Sequence, residues 1–466
     1  MPTFMVLAFH SLVTTFTTCT SSQNRQSSLF QSTASAPDPC PSLNVAVLGA
    51  GPSGLLTAHL LLQQDNTRVT LLEARSDPRK KETEERAYAL GIGIRGRSSI
   101  RTVDETLWQA VKSRGFESER FQLHIAGLVI PLRSEADSKT GGENVEPSVL
   151  MFQTDLCGAL VDELERRYDD TDRLKVCFDT AIEACDLETM ALALDPFLPQ
   201  TSKQSLSSTS YDMIVGSDGV NSVVRAAIER SHPGFESTKK LLSGEFKVVR
   251  LEEAPPKVDP TSRSAILSET SNKTAVVEEL QSAFPQWESL SELMATQLIA
   301  QKKTGTASSV VCNTYHYNDK AVLIGDSCHA TGGVSGQGVN SALQDCVALA
   351  DSIQNHRNDL ASALLSYSEK QVPEGKALFD LSFGPKPKGL KALVWTFRGA
   401  IDALFRGKFG IGRPPLQTRL TTTLSKFSEI RRENDKFYAE AFPSEAEIRQ
   451  QLVGLHAQAM ENAKER

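Results

Sequence analysis

Three glycine-punctuated signatures follow one another along the chain, and each carries residue types able to handle phosphates or sugar hydroxyls. The first is Gly49-Ala50-Gly51-Pro52-Ser53-Gly54, directly after the apolar run Val45-Ala46-Val47-Leu48. Gly49 permits a tight strand-to-helix turn, Gly51 lets the backbone approach a pyrophosphate, and Gly54 lets the helix lie close to the strand. The phosphates would sit on the free N–H groups at the helix N-terminus. Glu73, closing the next apolar strand, is the carboxylate expected on ribose hydroxyls, and Arg75 adds an adenosine contact. The second signature runs from Asp212 to Arg225 around Gly216-Ser217-Asp218-Gly219, a turn suited to closing over the pyrophosphate. The third is Gly325-Asp326-Ser327-Cys328-His329, running on to Gly336-Gln337-Gly338-Val339-Asn340. A lone GxGxxG is weak evidence; the three in this order describe a dinucleotide cradle that continues past the adenosine half.

The elements that must position these residues alternate between strand and helix, as in an α/β fold. Val45 to Leu48 reads as a buried strand, Pro52 to Gln64 as a helix and Arg68 to Leu72 as the next strand. Asp155 to Tyr168 reads as a helix with Leu156, Leu160 and Leu164 on one face. Met213 to Val215 and Ala321 to Ile324 are short strands ending in glycine turns, and Gln337 to Ile353 and Ser428 to Ala463 are helical. Linkers fall at Ser134 to Glu146, Leu198 to Tyr211 and Glu252 to Ser264, each rich in Ser, Pro, Gly or charge.

The 466 residues suffice for one large core or two coupled ones, and the net charge of −7 argues against a nucleic-acid surface. The eight cysteines show no CxxC or metal-ligand spacing, so reduced thiols are expected and no metal; a redox-disulfide enzyme is disfavoured. Residues 1–42 combine an apolar stretch with a Ser/Thr/Gln-rich one and read as a targeting or disordered segment outside the fold. The expected destination is an organelle, a mitochondrial, membrane-associated placement being one option that the weakly basic start does not separate from secretory or plastid routes. Gly389 to Gly410 spaces Leu390, Leu393, Phe397, Ile401 and Leu404 at helical intervals among Lys391, Arg398, Arg406 and Lys408. Such a helix lies in a membrane interface or packs on its own domain.

The third signature has the chemistry of a flavin site. Asp326 can accept from a ribityl chain, and the helix beginning near Gly336 can stabilise negative charge on a reduced ring. His329 is either an acid/base group or a structural histidine of a tight loop. With a single GxGxxG, a nicotinamide donor would visit transiently instead of occupying its own domain. Together these residues resemble the single-component FAD-dependent monooxygenases of the p-hydroxybenzoate hydroxylase fold, most closely the kynurenine 3-monooxygenase family. The resemblance rests on Val45 to Gly54, on Leu72-Glu73-Ala74-Arg75, on Arg86-Ala87-Tyr88-Ala89-Leu90 running to Arg97, and on Gly325 to Cys346. A weaker echo is Phe427-Ser428-Glu429-Ile430-Arg431.

The resemblance implies a glutathione-reductase-like, Rossmann-type FAD domain in three parts, 43–118, 151–232 and 318–380. A shortened α+β substrate domain from 119–150 and 233–317 is inserted in it, and a helical region, 381–466, follows. It implies FAD contacts at Ser53, Glu73, Arg75, Gly91, Gln153, Ile182, Asp326, Val339 and Asn340, beside the glycines above. Gln153 stands where the family usually has Arg. Arg120 falls where the family holds a substrate carboxylate, although an exposed Arg at a strand start has the same appearance. NAD(P)H and O2 would be co-substrates in hydroxylating a small aromatic, in tryptophan catabolism if the substrate is kynurenine. A flavin reductase or dehydrogenase on the same fold, and a non-catalytic FAD-binding paralogue, are the competing readings. Four departures bear on the substrate: Leu132 and Thr422 replace tyrosines, Pro385 an asparagine, and Gly333 a proline. The span between Arg225 and Gly325 is shorter than usual, leaving mainly Glu245 to Leu251 as a roofing strand.

Overall fold

The computed structural model describes residues 3–8, 43–80, 88–118, 121–125, 128–133, 146–195, 210–250, 263–266, 272–283, 285–301, 304–385 and 416–465. Its main sheet contains strands β1 (Leu43–Leu48), β2 (Thr67–Leu72), β3 (Leu174–Cys177), β4 (Met213–Gly216), β5 (His316–Tyr317) and β6 (Ala321–Leu323), in the order β5-β6-β4-β1-β2-β3. All neighbours are parallel except the β5–β6 pair. A parallel sheet covered on both faces needs continuous apolar strands, and Val45, Ala46 and Val47 at its centre are fully buried. Pairing sets Val47 opposite Val215 and Val215 opposite Val322, so the three glycine signatures leave adjacent strands at the same edge.

Helix α1 (Pro52–Leu62) begins with a proline preset for the first helical turn, and every residue from Ser53 to Leu62 is buried. It is enclosed by α3 (Gln153–Tyr168) and α4 (Gly338–Asn355). Two glycines make this packing possible. A Cβ on Gly54 would stand 1.9 Å from the Gly49 carbonyl oxygen, and one on Gly49, at φ +100°, would stand 2.4 Å from that of Ser217. Helix α2 (Ile94–Val103) lies beside α4, and α5 (Leu360–Phe383) crosses behind it.

A second sheet has the order 263–266, 3–8, 237–250, 305–312. Strand Thr3–Ala8 runs parallel to Ser237–Arg250 and antiparallel to Arg263–Ile266. This corrects two expectations: residues 1–42 do not lie wholly outside the fold, and the roof is more than one strand. Helices Lys273–Ala283 and Ser291–Ala300 pack on this sheet around a small separate core that includes Val249, Leu280 and Met294. The continuous helix expected over Ser428 to Ala463 is also corrected. It is divided into α7 (Phe427–Arg432) and α8 (Glu445–Glu465), with Pro443 in the break, where a helix would lose a backbone donor. Ahead of them, α6 (Leu416–Thr422) packs against α2 and against strand Leu128–Arg133. Gly389 to Gly410 and Arg120 lie outside the described residues.

Candidate cofactor site

The three signatures close on one another through specific bonds. Ser217 Oγ donates to the carbonyls of Leu48 and Gly49, both at 2.8 Å, joining the second signature to the first. Arg225, 7% exposed, donates to Ser327 O at 2.7 Å and to Val220 O at 2.8 Å, joining the second to the third. A Cβ on Gly325, at φ +62°, would meet Ser53 Oγ at 3.3 Å, which brings the third back to the first.

At the end where the sequence places the adenosine, Glu73 is held by the protein itself. Its Oε2 accepts from Ala50 N at 2.7 Å and its Oε1 from Arg75 N at 2.9 Å. The Arg75 side chain is 62% exposed and meets Glu73 at 3.3 Å. Thr180 N donates to Glu73 O and Asp179 N to Arg75 O, so the strand opening with Ile182 is delivered to the same end. Among the described residues, a Cβ at Gly51 would meet nothing within 4 Å, leaving open space over the N-terminus of α1. That is the room a diphosphate needs.

Asp218 Oδ2 accepts from Val223 N at 2.7 Å, at the start of the helix Val223–Ser231 that Ser222 caps, while its buried Oδ1 has no partner among the described residues. Burial raises its carboxyl above the usual range. Gly219 beside it has φ +73° and open space at the Cβ position. Asp326 is exposed, yet desolvation also raises its carboxyl, the combination expected of a side chain inside a deep cleft. Its Oδ1 lies 3.9 Å from where a Gly338 Cβ would be, facing the start of α4, where Gly336 adopts φ +67° and Val339 is half-buried.

Asn340 has a role the sequence did not show. Its Oδ1 accepts from Gly93 N at 2.8 Å and Gly96 N at 3.2 Å, and its Nδ2 donates to Gly91 O at 2.9 Å. The side chain therefore pins the start of α2. Gln153 N donates to Tyr88 O at 3.0 Å. Tyr88 itself, 40% exposed, stands where burial first, then the charge of Asp326, raises its phenol. The stretch Arg86 to Leu90 carries part of the resemblance, but nothing in it marks the Tyr88 side chain itself.

The strand carrying Leu132 packs on α6, which carries Thr422, and Pro385 follows the end of α5. Gly333 has φ +77°, a value proline cannot adopt.

A parallel-sheet dinucleotide domain with a second sheet above the cleft is the architecture of the flavin-dependent aromatic monooxygenases, and this chain is an FAD-dependent oxidoreductase of that class. It belongs to the family described as FAD binding domain, whose model matches residues 42–382. It is 25% identical over 378 residues to the kynurenine 3-monooxygenase of Stenotrophomonas maltophilia (strain K279a), covering 72% of this chain and 77% of that protein. To that of Salinispora arenicola (strain CNS-205) it is 27% identical over 381 residues, covering 72% and 78%. Among solved structures, the tetrameric form of 2-methyl-3-hydroxypyridine-5-carboxylic acid oxygenase superposes with TM-score 0.55 at 16% identity, covering 86% of this chain and 100% of that one. PqsL of P. aeruginosa superposes with TM-score 0.52 at 18% identity, covering 73% and 95%. These two show the fold alone.

The relatives correct the organellar expectation: the proteins named above are bacterial, and Thr3–Ala8, inside the supposed leader, is a strand. Among the described residues no helix is long and apolar enough to cross a membrane.

Proposed function

We propose that this chain hydroxylates an ortho-amino aryl ketone of the kynurenine type, with FAD as cofactor and NAD(P)H and O2 as co-substrates. The observation that carries the reading is the convergence of the three signatures, bonded to one another, around a cleft with open space at Gly51 and Gly219. The N–H groups of the α1 turn at Gly51, Ser53 and Gly54 would take the diphosphate, Glu73 the ribose hydroxyls and Arg75 the adenosine. Gly91, Gln153 and Ile182 would border the cofactor, and Asp326 would accept from the ribityl chain. The α4 start from Gly336 to Asn340 would stabilise negative charge at the ring. Bound FAD, reduced by NAD(P)H, would with O2 supply the electrophilic oxygen.

The protein's own share is positioning and exclusion of water, and the substrate's amine activates its ring without a dedicated base. Arg120 would anchor the substrate carboxylate as a bidentate partner. Kynurenine and 2-aminobenzoylacetate, the compound complexed with PqsL, share the ortho-amino aryl ketone. Leu132, Thr422 and Pro385 in place of polar contacts favour a substrate gripped mainly by its carboxylate and its ring.

The test is NADPH oxidation by the FAD-loaded full chain with and without L-kynurenine or 2-aminobenzoylacetate, with mass spectrometry of the product. Stimulated turnover and a product one oxygen atom heavier supports the reading. Bound FAD with no stimulation by either compound rejects it.

A further inference from the structure

His329 is the residue of the third signature that the proposed function leaves without a task. It ends the single helical turn that Asp326 begins, and its ring is buried against Tyr315, with centroids 5.7 Å apart. Its Nε2 lies 2.5 Å from Asp345 Oδ2, with the two side chains 3% and 1% exposed. The same Asp345 oxygen accepts Gly325 N at 2.9 Å. One carboxylate oxygen on α4 thus holds both ends of the turn that presents Asp326. From behind, α5 approaches so closely that a Cβ on Gly375 would stand 2.8 Å from His329 Cβ. Cys328 Sγ, whose ligand atom lies within 4.8 Å of those of His329 and Asp345, donates to Gly325 O at 3.3 Å. Burial keeps that thiol protonated, so the cluster works as hydrogen-bonded support.

Burial alone pulls the imidazole toward neutrality, but the Asp345 carboxylate, its hydrogen bond and then Asp326 outweigh it and raise His329. Two carboxylates and one cation carry one net negative charge; without the cation they carry two, beneath a cofactor whose diphosphate is itself anionic. We propose that His329 and Asp345 are a buried charged pair that positions the Gly325–Asp326 turn for FAD and offsets the negative charge gathered under it. Neither residue touches the reacting atoms; both act through Asp326. The inference rests on Asp326 facing the cofactor and is independent of which ring is oxidised.

The experiment compares wild type with His329→Gln, Asp345→Asn and Asp326→Ala, reading the FAD dissociation constant of the apoprotein by flavin fluorescence and the midpoint potential of the holoprotein. His329→Gln keeps an N–H donor and removes the charge. FAD affinity is expected to fall about tenfold, and reduced FAD to lose a further tenfold over oxidised, a midpoint lowered by about 30 mV. In Asp345→Asn the anion and its counter-cation disappear together, so affinity falls while the potential moves much less. Wild-type affinity and potential in His329→Gln, with only the melting temperature lowered, overturns the proposal. Should His329→Gln fail to fold, wild-type affinity in Asp345→Asn overturns it equally. Unchanged affinity in Asp326→Ala removes the placement of Asp326 at the cofactor, and the proposal with it. A loss there beside unaffected His329→Gln rejects the pair alone.

Discussion

Arg225 and Ser327, 102 positions apart in the chain, are joined by a 2.7 Å bond from a buried guanidinium to a backbone carbonyl. Since Arg225 also holds Val220 O, one side chain fixes the distance between the second and third signatures. Replacing it with Met leaves two buried carbonyls without their charged donor, at about 1.5–3 kcal/mol for such a bond. Arg225→Met is expected to lower the apoprotein melting temperature and the FAD affinity together. A variant that melts lower yet binds FAD normally contradicts the alignment role.

Gly51 and Gly54 separate cofactor from fold. A Cβ at Gly54 collides with the Gly49 carbonyl oxygen at 1.9 Å, whereas one at Gly51 meets nothing within 4 Å among the described residues. Gly54→Ala should cost the apoprotein at least about 1–3 kcal/mol, as overpacking does. Gly51→Ala should change apo stability by less than about 0.5 kcal/mol and weaken FAD binding tenfold or more, about 1.4 kcal/mol. Urea denaturation of the apoproteins and FAD titration check both. Equal losses in the two variants would disprove the distinction.

His316 and His456 predict an acid-sensitive C-terminal helix. His316 Nε2 lies 2.9 Å from His456 Nδ1, and burial, then the neighbouring His456 and His232, bring the His316 imidazole down to about 3. His456 and His232 are lowered too, first by burial, with Asp359 and Asp319 opposing this at His456. These groups stay neutral in the folded chain and take protons when unfolded near the ordinary 6.5. Their stability is complete above that pH and lost progressively as pH falls toward about 3. Urea midpoints measured downward from neutral pH should fall, and less steeply in His316→Gln. An identical slope in the variant would show the acid sensitivity to lie elsewhere.

Arg95, buried on α2, donates to Ser425 O at 2.5 Å and Leu420 O at 3.4 Å, with its guanidinium 4.1 Å from the centre of the Phe427 ring. It ties the segment around α6 to the helix that Asn340 pins. Arg95→Met should loosen that segment and raise the share of NADPH oxidised without product, read as hydrogen peroxide per product formed. Wild-type coupling would make Arg95 a matter of stability alone.

Strand Thr3–Ala8 gives a last test. Removing residues 1–42 exposes the backbone donors of Ser237–Arg250 along one edge. The truncated chain is expected to melt lower and associate more readily by light scattering than the full chain. Unchanged melting would show that the strand contributes nothing.

The main sheet was legible because its signals are local: an apolar run, then a glycine turn, repeated at Leu48, Gly216 and Ile324. The clasp at Asn340 was not, because its partners are backbone N–H groups 247 and 244 positions away, and a backbone donor leaves no mark in a sequence. Two acceptors of Arg95, Leu420 O and Ser425 O, are backbone carbonyls, silent for the same reason. The break before α8 was foreshadowed by Pro443, but the charged periodicity on either side masked it. Strand Thr3–Ala8 reads as a leader because an apolar hexapeptide has no feature that names its partner, and its pairing with Phe246 to Arg250 is set by the tertiary fold.

Because β1, β4 and β6 are neighbours in space but far apart in sequence, the cradle is indifferent to what the chain does between them. Each excursion leaves and re-enters the sheet at fixed points, so a module there can be lengthened, trimmed or exchanged without shifting Gly51, Asp218 or Asp326 relative to one another. An architecture of this kind lets a lineage vary the chamber that receives the ring while inheriting the redox machinery intact.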